Sequence, residues 1–173
     1  MLRLGVGERG VTEVMAVAEH TASLCAGAAA LQVTAETDES VGPQPEGSEA
    51  VLGEIRKWAE ESLGLSHPPL FWVRLAGQPR LLAATWRKDR MVMEAGRLDR
   101  GAKACVALAV AAFRQSDYWV GAFRRLVSRE AGLDEHGLTE LAGCVMHYVS
   151  FNTIAHGMRL HADAEEMTSE DVR

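Results

Sequence analysis

The sequence predicts an all-α fold, a bundle of about seven helices. Three observations carry that expectation. Apolar residues recur at helical spacings along most of the chain, glycine and proline fall between the periodic segments, and the few β-branched runs are short and sit inside helical periodicity. The 173 residues suit one domain with a helical extension, and a chain of this length buries a core without disulfides or metals. Its 47% hydrophobic and 24% charged residues are globular values.

Residues 1–10 contain glycine and are expected to fray. Residues 11–31 form the first helix, with Val14, Val17, Leu24 and Leu31 on one face and many small residues that admit a close neighbour. Ala28-Ala29-Ala30 imitates a signal-peptidase site, but Glu13, Glu19 and His20 interrupt the apolar stretch before it, so the segment is read as a helix of the mature protein. Residues 34–48 hold Pro43, Pro45 and two glycines and read as a loop. Segment 1–48 is assigned to the same fold as 49–164, because the stretch before the loop is too short for its own core.

Ser48 is read as the N-cap of a helix over 49–63, with Val51, Leu52, Ile55, Trp58 and Leu63 inward and Gly64 ending it. Pro68-Pro69 opens a short helix with Leu70, Phe71, Val73 and Leu75. Pro79 suits the first turn of a helix over 79–94, which runs through Leu81, Leu82, Trp86 and Met93 to a stop at Gly96. Asp99 caps a helix over 100–114. Its run from Cys105 to Phe113 is apolar on nearly every face, the mark of a helix at the centre of a bundle. A helix over 117–131 ends at Gly132, and Asp134 caps the next, over 135–147. A last helix over 149–164 carries Val149, Phe151, Ile154, Met158 and Leu160, and 165–173 is a loose acidic tail.

The formal net charge of −6 excludes a broad nucleic-acid footprint, which needs a basic face. No stretch of eighteen apolar residues offers a membrane span. Cys25, Cys105 and Cys144 are odd in number and widely spaced, which points away from a disulfide framework and toward a reducing cytoplasm.

Five pieces in order carry a resemblance: PPLFWVRLAGQPRLLAATW (68–86), GRLDRGAKACVALAVAA (96–112), SDYWVGAFRRLVSREAGL (116–133), DEHGLTELAG (134–143) and FNTIAHGMRL (151–160). Over this stretch, a little more than half the chain, the sequence resembles the alkylhydroperoxidase D-like family, which includes the carboxymuconolactone decarboxylases. The resemblance implies an all-α fold of that kind and a homo-oligomer. In the peroxidase branch a Cys-x-x-Cys pair, a His four residues on and an upstream Glu cycle thiols against peroxide. Laid on this chain, those positions are Ser116, Trp119, Phe123 and Ala104, so the thiols and the proton carriers are all absent. The decarboxylase branch needs a Glu and a His where Trp119 and Phe123 stand. The resemblance therefore implies the fold and not the catalytic residues.

Other candidates are weighed against plainer readings. Cys144 and His147 share a helix face, so the imidazole is placed to activate the thiol, yet no third group orients it. His156 and His161, with Asp163, are poorly spaced and too few for a metal site, so no metal or cofactor is expected. Ser116 and Asp117 read as a helix cap, and Tyr118 and Trp119 as packing groups. Arg124, Arg125 and Arg129 are an anion clamp or a solvated face, the latter favoured by Glu130 nearby. Trp58, Trp72 and Trp86 are core or interface anchors.

Three functions remain open from sequence. One is a degenerate family member, structural or binding an apolar small molecule in a cavity lined by Trp119 and Phe123. Another is an enzyme using Ser116, Tyr118 and His147 around that cavity. The third is a weak peroxidase working through Cys105 or Cys144.

Overall fold

The computed structural model describes residues 7–36 and 45–158. It is all-helical, with seven helices and no strand among the described residues. These are α1 (Glu8–Ala30), α2 (Glu49–Leu63), α3 (Leu70–Leu75), α4 (Pro79–Met93), α5 (Arg100–Phe113), α6 (Asp117–Glu130) and α7 (Glu135–Gly157).

The pair α5–α6 is the centre. The helix α1 lies on α5, α4 and α6, while α2 packs on α6 and α4. Small side chains set these approaches. Ala104, Ala107 and Ala111 of α5 are wholly buried, and Ala28 of α1 is nearly so. At Gly101 a Cβ would lie 2.9 Å from the Glu130 carbonyl oxygen, so the start of α5 touches the end of α6. The aromatic rings form one continuous chain through edge-on contacts, Trp58 to Trp86 at 5.4 Å, Trp86 to Trp72 at 5.4 Å and Trp72 to Trp119 at 6.4 Å. The three earlier tryptophans are thus packing groups, and Trp86 donates from Nε1 to Glu54 at 3.1 Å.

Polar groups close the helix ends. Asp99 accepts from Ala102 N–H at 2.7 Å and Asp134 from Gly137 N–H at 3.0 Å, as their sequence positions predict. Gly64 ends α2 at φ 70°, a conformation that favours glycine, and Arg129 donates to the last α2 carbonyls at Glu61, 2.7 Å away. The short α3 is held by Glu36, which accepts from Leu70 N–H at 2.9 Å, and by Tyr118 Oη, which accepts from Phe71 N–H at 3.0 Å. Lys103, buried within α5, donates to the carbonyls of Val92 at 3.0 Å and Glu94 at 2.6 Å and pairs with Glu13 at 3.2 Å. Glu13 also accepts from the N–H groups of Arg97 and Leu98, which tie α1 to the α4–α5 turn.

Several expectations are corrected. The buried stripe of α1 is Val17, His20, Thr21, Leu24, Cys25 and Ala28, and Leu31 lies past the helix end, exposed. Ser48 does not cap α2. It sits buried, its hydroxyl donates to the Pro45 carbonyl at 2.7 Å, and its backbone is already helical. Ser116 occupies the N-cap position of α6 without a capping hydrogen bond. Leu81 of α4 faces solvent. Residue 113 leaves α5 less enclosed than its composition suggests, because Phe113 is exposed.

The largest correction is α7. The two helices expected over 135–147 and 149–164 are one continuous helix to Gly157, since no glycine or proline breaks the chain at Tyr148. Residues 159–164 and the 165–173 tail lie outside the described residues. The packing partner of α7 is α5, and Leu138 and Leu141 reach the core. None of its residues is fully buried, and Met146, Tyr148, Phe151, Ile154 and Met158 are exposed. Between Leu141 and Met158 the helix carries no Asp, Glu, Lys or Arg.

Candidate functional site

The first three turns of α6 project Trp119, Phe123 and Leu126 from its buried face. Trp119 and Phe123 are one helical turn apart and stack, with ring centroids at 5.3 Å and planes 24° apart. Together with Trp58 and Met93 they wall a cavity of about 270 Å³ between α2, α4 and α6. Trp119 is fixed from behind, because its Nε1 donates to the Leu24 carbonyl at 2.9 Å. That bond places α1 of the same chain over this part of α6.

Charged groups from α4, α5 and α6 complete the lining: Asp89, Arg90, Glu94, Arg100 and Glu130. They differ in depth. Arg100 is engaged by Glu130 at 2.7 Å, and Arg90 lies over the Trp86 ring at 5.6 Å, with its side chain exposed. Asp89 is only 6% exposed, and its Oδ1 is 3.0 Å from Nε2 of His20, itself 2% exposed on α1. Nδ1 of His20 has no hydrogen-bond partner. Nε2 is thus the ring nitrogen directed at Asp89, and the contact holds that carboxylate in one orientation. The site thus has aromatic walls and one deeply placed carboxylate with a fixed orientation.

The remaining candidates are dispersed. Ala104 is buried in α5 and offers no polar group. Ser116, half-buried at the start of α6, lies within hydrogen-bond reach of the Cys25 thiol. Tyr118 is buried, and its hydroxyl is pushed far above the ordinary phenol range by burial, which keeps it protonated as the clamp on α3. His147 is exposed on α7, with its ring against Tyr148 at 5.9 Å and Phe151 at 6.2 Å. The structure therefore does not gather Ser116, Tyr118 and His147 around one cavity. Arg124 pairs with Glu135 at 3.1 Å while Arg129 caps α2, so the arginines of α6 do not converge either.

The cysteines are free. Cys25 is buried, and burial raises its thiol above the usual range. Cys105 borders a shallow depression with Asp99 and Glu130, and both burial and the Asp99 charge raise its thiol. Asp99 accepts from the start of α5 and Glu130 pairs with Arg100. A peroxide-reactive cysteine needs the opposite shift. Cys144 is exposed on α7, and no hydrogen bond joins it to His147.

Among the described residues no group of His, Cys, Asp and Glu could hold a metal ion. His156 is exposed, and His161 and Asp163 lie outside the described residues. No described helix is long and apolar enough to cross a membrane.

The pair His20–Asp89 is absent from the sequence-based candidates, although half of it leaves a trace. Asp89 stands three residues after Trp86 and seven after Leu82, on the buried stripe of α4. A carboxylate on such a stripe must have a partner, which lies 69 residues away and which no local spacing identifies. Comparison of the chain with family models, with curated proteins and with solved structures found no match in any of the three.

Proposed function

We propose that the chain is a degenerate alkylhydroperoxidase D-like protein that has lost the thiol redox centre, and that it acts as a homo-oligomer binding a small molecule in the Trp119–Phe123 cavity. One observation carries this reading. Where the resemblance sets a resolving cysteine and a histidine, an indole and a phenyl ring stack and wall a cavity of about 270 Å³. An apolar cavity of about 150 Å³ already takes benzene, so this one admits a ring with a short substituent. The rings, with charged side chains converging from α4, α5 and α6, offer such a molecule both apolar and polar contacts.

The oligomer rests on α7 as well as on the resemblance. Leu141, Cys144, Tyr148, Phe151, Ala155 and Met158 alternate at spacings of three and four, an apolar seam along the uncharged stretch. Tyr148, Phe151 and Met158 expose about 400 Å² of that seam at ~200 Å² per large residue, about half of the ~800 Å² each partner gives to a stable interface. A surface without charges selects a partner of the same kind, and a second copy about a twofold axis supplies one.

Ligand-observed NMR with a set of small aromatic fragments tests the cavity. The variant Phe123→Trp fills the space with a larger ring, and hits should bind the unmodified protein and lose binding in F123W. Fragments that bind both equally would exclude the cavity.

A second reading, an enzyme acting in the same space, is favoured by the buried Asp89 oriented by His20, the arrangement of a general base. Turnover found by substrate screening would then vanish in Asp89→Asn and survive His147→Ala. Loss in H147A instead would move the chemistry to α7.

A further inference from the structure

The charges around the cavity are not equivalent, and their depths decide what the site attracts. Three carboxylates (Asp89, Glu94 and Glu130) face two guanidinium groups, Arg90 and Arg100, which leaves an excess of one negative charge. Glu130 and Arg100 neutralise each other at 2.7 Å. Glu94 and Arg90 are exposed, where water and salt screen them. Asp89 is buried, and His20 Nε2 engages its Oδ1 at 3.0 Å. The charge that acts at low dielectric is therefore that of Asp89.

Aromatic rings share the lining of the cavity with this carboxylate. Trp58, Trp119 and Phe123 line the same cavity, and ring faces attract a cation. A buried carboxylate beside π-faces favours an organic ammonium group, and it repels an anion. A neutral molecule would use the rings but would leave the Asp89 charge uncompensated in the occupied, drier site.

Resting on the reading of the cavity as a ligand site, we propose that it binds a small aromatic amine, with its ring against Trp119 and Phe123 and its ammonium on Asp89. The volume of about 270 Å³ accommodates a phenyl ring with a two-carbon arm.

Three probes of one shape separate the possibilities: 2-phenylethylamine, 2-phenylethanol and 3-phenylpropanoate, titrated at neutral pH by calorimetry and by ligand-observed NMR. The amine should bind at least tenfold more tightly than the alcohol, and the anion should bind most weakly. In Asp89→Asn, which keeps an oxygen to accept from His20, the amine should fall to the affinity of the alcohol while the alcohol changes less than twofold. Equal or tighter binding of the alcohol or the anion to the unmodified protein would overturn the amine and leave the cavity reading intact. Amine affinity undiminished in D89N would overturn the placement on Asp89. Failure of all three probes to bind would overturn both. If D89N does not fold, the ranking of the three probes on the unmodified protein decides.

Discussion

Replacing Phe151 by Glu separates assembly from folding. The side chain is 65% exposed on α7, beyond the part of that helix that reaches the core. Placing a carboxylate there leaves the folded protomer intact. In the paired state the residue sits in the apolar seam, and its exposed part is about 130 Å² of a ~200 Å² aromatic side chain. At ~25 cal/mol per Å² this is about 3 kcal/mol per copy, and a twofold interface contains two copies. The loss of about 6 kcal/mol raises the dissociation constant by roughly 10⁴-fold, before the cost of desolvating two carboxylates is added. Sedimentation or light scattering at tens of micromolar should give twice the 18.8 kDa chain mass for the unmodified protein and the single mass for F151E. Circular dichroism should show the same helix content in both. Cys144, in the same seam, should react faster with a thiol reagent in F151E. A variant that stays at the doubled mass, or an unmodified protein that is monomeric at high concentration, would refute the pairing of α7.

Three further outcomes follow from the fold. Tyr118→Phe leaves the buried Phe71 N–H without its acceptor and should cost about 1–3 kcal/mol, read as a denaturant midpoint; an unchanged midpoint would remove Tyr118 as the clamp on α3. Gly101→Ala forces a methyl group to 2.9 Å from a backbone carbonyl that cannot swing away, and should cost about 1–3 kcal/mol rather than stabilise the helix as alanine ordinarily does. The carboxyl of Glu13 is held at about 2, from a usual 4.5, first by the N–H groups of Arg97 and Leu98 and then by Lys103. With the folded value below the unfolded one, its contribution is complete above about 4.5 and is lost as pH falls toward about 2. The unfolding midpoint should therefore fall over that window in the unmodified protein and fall less in Glu13→Gln; identical profiles would exclude Glu13 as the cause.

The helices were legible because their stop and start signals are local. Gly64 takes the left-handed conformation that ends α2, Pro79 sits in the first turn of α4, and Asp99 and Asp134 cap as their positions suggest. Ser48 and Ser116 have the right identity and place but use their side chains otherwise, because tertiary neighbours compete with the helix end. The two helices expected over 135–147 and 149–164 are one, α7, because no glycine or proline stands at Tyr148 to interrupt the chain. Its exposure was not readable either, since an apolar helix in sequence looks the same whether its cover is the same chain or another.

Ala104, Ser116, Trp119 and Phe123 could be named from the resemblance residue by residue, and the structure adds how two of them are used, as the stacked wall of a cavity. The buried groups at its back were not visible. Lys103 sits alone in an apolar run, His20 on an alanine-rich helix and Asp89 between two cations, and each is explained by a partner distant in sequence. Charge burial is decided by such partners, which periodicity does not encode.

The claim that ligand binding has replaced thiol cycling is tested most directly by hydroperoxide turnover. Cumene hydroperoxide and a dithiol reductant, monitored with the unmodified protein and with a variant in which Cys25, Cys105 and Cys144 are all serine, should be consumed at the same rate as in buffer alone. Consumption at an enzymatic rate by the unmodified protein, abolished in the cysteine-free variant, would contradict the account.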